Sequence, residues 1–297
     1  MTNDETTHRV FSIRRITAIT TNTLTELTRQ KAFYVLLLFA LILIGSSVFM
    51  ARFTFQQEFQ ILKDVSLGAM SIFSSLLAIV ATARLIPQDI EDRTVYTILA
   101  KPVPRFEYLL GKLFGALLLL AISMAAMTLL FVAVLYFREQ AVLNETAHEL
   151  SRAPEEQLND ALNAIRTAGL NLDIFAGVGV IFLKACLLAA LTLFVSTFAT
   201  TNIFTVVVML VVYFIGHLQS MAREYWLQQQ GASWLTQGFL ALVALIFPDL
   251  QAFNLTDEIV AGAIIPLAIF TKTALLGVFY VAIYTLAATV VFYGKEL

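Results

Sequence analysis

The sequence predicts an all-α integral membrane protein: a six-span helical bundle with an amphipathic N-terminal helix, a cytoplasmic helix between two spans, and short re-entrant outer helices. Three observations predict it. Of the 297 residues, 59% are hydrophobic and only 13% charged, and the mean hydropathy is +0.81, whereas soluble domains run at roughly 45–50% apolar and about 25% charged. Long apolar runs recur at the length a helix needs to cross about 30 Å of hydrocarbon. These runs are apolar on every side, unlike the alternating strands of a membrane barrel, so their backbone groups can be satisfied only within helices.

The elements follow in order. Residues 11–29 place Phe11, Ile13, Ile16, Ile19, Leu24 and Leu27 among Thr, Arg and Glu, which suits a helix in the membrane interface with its arginines toward anionic lipid. Spans are expected at Ala32–Met50, Val65–Ala83, Leu113–Phe137, Ile174–Ala199, Ile203–Leu218 and Ala274–Tyr293. The first should stay in the mature protein, because some 30 polar or amphipathic residues precede it, unlike a cleaved leader. Residues 138–171 read as one or two soluble outer helices, the second starting at Pro154. In 221–270, Trp234–Phe247 and Ile259–Phe270 are short for spans, and Pro248 and Pro266 interrupt them. They are placed as a packed outer hairpin, and a crossing by Trp234–Phe247 would reverse the C-terminus.

Lys and Arg set the orientation. Arg9, Arg14, Arg15, Arg29 and Lys31 precede the first span, and Arg84, Arg93, Lys101, Arg105 and Lys112 follow the second. Both termini are therefore expected in the cytoplasm. The chain reads as one transmembrane domain.

Composition also excludes functions. The net charge of −2 and absence of a basic face argue against nucleic acid, and the single Cys186 against a disulfide framework or a cysteine-based metal site. No G-x-x-x-x-G-K-[ST] occurs, so the chain cannot cradle nucleotide phosphates by itself. No nucleophile elbow or H-E-x-x-H is present, and an enzymatic reading has no residues to stand on. His8 and His217 read as isolated interfacial or core residues. Lys184 is the one charge inside the expected membrane cores. It either snorkels or bonds a neighbouring helix, or it contacts a substrate in the pathway. A single lysine builds no proton relay.

The most distinctive stretch is 84–112. Pro87 suits a helix's first turn, Asp89, Glu91 and Asp92 its positive end, and Val95, Ile98 and Leu99 an apolar stripe. Lys101-Pro102 ends it, and Gly111 and Gly115 open the third span as a G-x-x-x-G that permits close helix contact. The outcome is a charged single-helix knob at about 87–100, or a solvated loop whose acids merely cap a helix.

Ile86-Pro87-Gln88-Asp89-Ile90-Glu91-Asp92-Arg93-Thr94, Ala100-Lys101-Pro102-Val103, Arg105 and Tyr108-Leu-Leu-Gly111-Lys112 resemble the permease subunits of ABC-2 type ABC transporters, in particular the NosY-like branch. Pro248-Asp249-Leu250 with Phe253-Asn254, and the Thr25–Tyr34 entry, are also similar to that branch. The resemblance implies an exporter permease that binds no cofactor itself, with ATP and magnesium on a separate cytoplasmic ATPase present in two copies. It implies a second permease copy, as a homodimer or with a paralogue. With no organelle signal or eukaryotic flanking domain in the sequence, a bacterial inner membrane is expected. Residues 11–29 become an elbow helix and 84–112 a coupling loop that docks on the ATPase through Asp89, Glu91, Asp92, Arg93, Val95, Ile98 and Leu99. The alternatives are a membrane scaffold without a transport path, a self-contained channel or carrier, and an intramembrane enzyme.

Overall fold

The computed structural model describes residues 11–51, 58–93, 103–151, 154–228, 247–260 and 266–294. Among these the regular structure is helical: α1 Ile13–Thr28, α2 Lys31–Ala51, α3 Glu58–Ala83, α4 Leu85–Glu91, α5 Arg105–Glu149, α6 Glu155–Ala168, α7 Asp173–Phe198, α8 Asn202–Gln228, a 3₁₀ turn at Gln251–Phe253, α9 Thr256–Val260 and α10 Leu267–Tyr293. Six of them, α2, α3, α5, α7, α8 and α10, are long and apolar enough to cross a membrane. No strand occurs among the described residues.

Burial sorts these helices. The apolar stretch ending at Phe198 is 72% buried, against 22% for those of α2 and α8, so α7 is the bundle's axis and the others its wall. That agrees with the composition of α7, which apart from Lys184 and its first residue Asp173 carries no charge on any face. The exposed Leu38, Phe39 and Ile42 on α2 and Val207, Val211 and Phe214 on α8 form the wall's outer surface. Ser75 and Thr192 inside the bundle bond to carbonyls one turn back, Ser75 to Ser71 at 2.7 Å and Thr192 to Leu188 at 2.6 Å. They therefore leave no polar demand on lipid.

Several boundaries depart from the sequence reading. The 45-residue α5 is about 68 Å long at 1.5 Å per residue, so it projects well beyond a hydrocarbon layer. Its far part absorbs the first half of the expected 138–171 insert, because nothing between Phe137 and Glu149 breaks a helix. Arg138 fixes that projection by donating to Glu58 of α3 at 2.7 and 3.0 Å. Pro154 does precede the second insert helix, α6, whose Leu158, Leu162 and Ile165 are half-buried. Pro266 starts α10 instead of interrupting an outer helix. Its fixed φ suits a helix entry, so Leu267–Phe270 belong to the last span, and the helix Thr256–Val260 precedes it among the described residues. Residues 234–246 of the expected hairpin lie outside the described residues.

The segment 247–260 is seated on glycines. Leu250 lies against Gly216 of α8, whose carbonyl accepts the Leu250 N–H at 3.1 Å, and a Cβ there would stand 2.8 Å from the leucine side chain. The Ile259 side chain fills the space over Gly177 of α7, and the Phe253 ring that over Gly277 of α10. Glycine seats let backbone approach backbone, which drives helix association where lipid removes the hydrophobic difference. Leu250 and Phe253 are buried to 0% and 1% exposure, so the segment 247–260 is part of the bundle's core.

Candidate functional site

One polar cluster gathers at the α1 end of the bundle. Pro87 has no N–H to continue the α3 ladder, and the chain breaks at Arg84 before α4. Asp89, on α4, turns inward: its Oδ2 accepts a hydrogen bond from the Tyr108 hydroxyl and lies 2.7 Å from Lys112 Nζ. Lys112 also reaches Glu26 of α1 at 3.2 Å. Tyr108 is fully buried, Lys112 is 2% exposed and Asp89 is 7% exposed, so the cation and carboxylate compensate each other away from water.

The same turns of α5 hold α1 and α10. Glu107 accepts Arg15 Nε at 2.6 Å, Arg15 Nη2 at 2.9 Å and the Ser12 N–H at 2.8 Å, a fork-to-fork pair of the strong kind. One turn on, Gly111 meets Ile19, and a further turn on, Gly115 meets Thr23. Arg15 thus faces α5, where Glu107 accepts both its Nε and Nη2. Arg105 donates to the carbonyls of Phe292 and Tyr293 at 2.8 and 2.9 Å, capping the end of α10, and Tyr108 stacks on Phe292. Four elements, α1, α4, α5 and α10, are therefore tied at one point.

The acids of α4 sit at its C-terminal end, not at the N-terminal end expected from the sequence. The turn closes at Arg93, a non-glycine residue at φ 56°, which stops the helix in the left-handed region. Glu91, Asp92 and Arg93 are exposed. Glu91 borders a cleft of about 620 Å³ between α4 and the α7–α8 turn, lined also by Pro87, Ile90, Thr201 and Asn202. Val95, Ile98 and Leu99 lie outside the described residues.

A second cluster lies halfway along the bundle. Lys184 of α7 is 2% exposed; it donates to Ser71 Oγ of α3 at 2.8 Å and faces His217 Nε2 of α8 at 3.4 Å. His217 Nδ1 lies 2.9 Å from the Tyr213 carbonyl. A carbonyl only accepts, so Nδ1 carries the proton, and Nε2 opposite the ammonium is the acceptor. The lysine thus bonds across helices instead of snorkelling, and His217 is its partner, not an isolated residue. Sequence distance hid this pairing, because the two residues are on different helices. A cavity of about 310 Å³ opens beside them, lined by Asp64, Ser71, Lys184, Tyr213 and His217 and by Gln251, Asn254 and Thr256 of the segment 247–260. Its residues place no catalytic set, and no group of three His, Cys, Asp or Glu able to hold a metal occurs among the described residues.

A family model described as ABC-2 family transporter protein matches residues 17–297. No curated protein matches the chain.

Proposed function

The chain belongs to the ABC-2 transporter family, and from that premise we propose that it is the permease of a NosY-like exporter, driven through the loop 84–112. As a membrane component of this family it is not itself catalytic, and permeases of the family pair with ATPase subunits. The proposed working unit is two ATPases, carrying ATP and magnesium, with this chain and a second permease copy. It sits in a bacterial inner membrane with both termini in the cytoplasm, so that the α1 end faces the ATPases.

The observation that carries this reading is the division of α4 into a buried and an open side. Asp89 is anchored on Tyr108 and Lys112, while Glu91, Asp92 and Arg93 are exposed two to four residues on. Acids at a helix C-terminus oppose the backbone dipole, so Glu91 and Asp92 bring α4 no local stability and are free to serve a partner. In this scheme Glu91, Asp92 and Arg93 contact the ATPase, and Val95, Ile98 and Leu99 add apolar contacts to it. Asp89 positions the loop instead of touching the partner. A push on α4 then reaches α5 through Asp89, α1 through Lys112 and Glu26, and α10 through Arg105, which moves the bundle as a body between inward-facing and outward-facing states. The energy enters through contacts that differ between those states.

A Glu91→Ala, Arg93→Ala double variant is expected to insert normally, to keep its thermal stability, and to lose substrate-stimulated ATP hydrolysis in the reconstituted complex. Unchanged stimulation would remove the loop from the coupling path. A chain that binds an ATPase whose hydrolysis never responds to substrate would instead be a scaffold.

A further inference from the structure

The transport reading leaves open what the mid-bundle cavity recognises. Lys184 is a cation held inside the bundle with neutral partners: Ser71 Oγ, His217 Nε2 and the face of the Tyr213 ring, 5.8 Å from its centroid. Among the described residues no carboxylate pairs with it. Its ammonium has three N–H groups, of which Ser71 and His217 take two. A charge buried without a counterion is costly, so the site is stable in proportion to what supplies the missing anion. The third N–H and the Ser71 hydroxyl proton remain to be accepted. Gln251, Asn254 and Thr256 bring further amide and hydroxyl donors from the segment 247–260.

We propose that this cavity binds one phosphate group of the transported molecule, an inference that rests on the permease reading above. The donors come from α3, α7 and the segment 247–260, from separate directions. That arrangement suits a tetrahedral oxyanion better than a planar carboxylate, whose acceptors lie in one plane. The size, about 310 Å³, is at the lower end of small-molecule sites and admits a headgroup, not a whole amphiphile. Asp64, exposed at the rim, repels additional negative charge and favours a single phosphate over a diphosphate. Ile72, on the same lining, is 51% exposed on the bundle's outer face, so apolar chains attached to the phosphate have somewhere to lie. The glycine seats at Gly177, Gly216 and Gly277 hold the segment 247–260 in place, which keeps Gln251, Asn254 and Thr256 at the cavity.

The phosphate has two sources, an amphiphile's headgroup or a free water-soluble ion, and the test separates them. Purified protein in neutral detergent is melted while titrated with dihexanoyl phosphatidic acid, with inorganic phosphate, or with uncharged dihexanoylglycerol. The phosphatidic acid should raise the melting temperature by several degrees, saturably, and dihexanoylglycerol should not. If inorganic phosphate alone reproduces the shift, the ligand is a free ion; if only the amphiphile does, it is a headgroup. Lys184→Met should weaken binding at least tenfold, Ser71→Ala should weaken it less, and Lys184→Arg should keep part of it. The last two carry the test if Lys184→Met fails to fold. No shift with either phosphate, or an equal shift in the Ser71 and Lys184 variants, overturns the site and makes Lys184 a cross-helix pin only. An ATPase that co-purifies with a protein lacking the shift removes the phosphate site and leaves the permease. A Lys184-dependent shift without any co-purifying ATPase does the reverse.

Discussion

Lys112→Met is expected to cost about 3–5 kcal/mol of folding stability, the loss seen when one partner of a buried ion pair is removed. Asp89 would keep the Tyr108 hydroxyl, but a carboxylate 7% exposed would lose the Lys112 ammonium. Asp89→Asn should cost less. Its amide oxygen can still accept from Tyr108, and Lys112 retains Glu26 at 3.2 Å, whose side chain is 30% exposed and partly solvated. The double variant should then be more stable than Lys112→Met alone, since a neutral pair leaves no buried charge uncompensated. Denaturant unfolding in detergent or nanodiscs measures all three. Additive losses would mean that Asp89 and Lys112 do not act as a pair. The same variants bear on coupling: a loosened Asp89 should raise protease cleavage in the loop 84–104 before any global unfolding.

Gly115→Leu is expected to detach α1 from the bundle. A Cβ at Gly115 stands 2.6 Å from Thr23 Cβ and 3.1 Å from the Thr20 carbonyl, atoms close to or in the backbone that cannot swing aside. Gly111 has the same relation to Ile19, at 2.7 Å. Even Gly115→Ala should lose about 1–3 kcal/mol to overpacking, more than the roughly 0.8–1.0 kcal/mol that alanine gains in helix propensity. Gly45→Ala is the opposite case, because nothing lies within 4 Å of its added Cβ; it should be neutral or slightly stabilising. The displacement can be read by maleimide labelling of Leu27→Cys, a position with 0% exposure. It should be protected in the parent background and labelled with Gly115→Leu, while the buried Cys186 contributes little. A Leu27→Cys that stays protected would show that α1 does not depend on the glycine contact.

The individual spans were legible because each is a local property of length and hydropathy. A run such as Ile174–Ala199 has no alternative to a helix in lipid, and α7 covers Asp173–Phe198. The glycine pair at 111 and 115 announced a close helix contact but not its partner, which is α1. Helix ends were less legible where a residue is ambiguous in isolation. Pro266 can end one element or begin the next, and only the packing of α10 against α7 chooses the second.

The functional side chains divide the same way. Sequence alone determined the membrane class, the missing nucleotide loop and the unusual stretch 84–112, since composition and contiguous motifs survive without a fold. It also singled out Lys184 as a charge where charges are scarce. Only the tertiary structure decided that Asp89 turns inward to Tyr108 and Lys112, that Arg15 faces Glu107, and that His217 is the partner of Lys184. Those pairs are 19, 23, 92 and 33 residues apart. No local periodicity encodes such distances; they are set by which helix faces meet, and that follows from how glycines and small side chains let the helices approach.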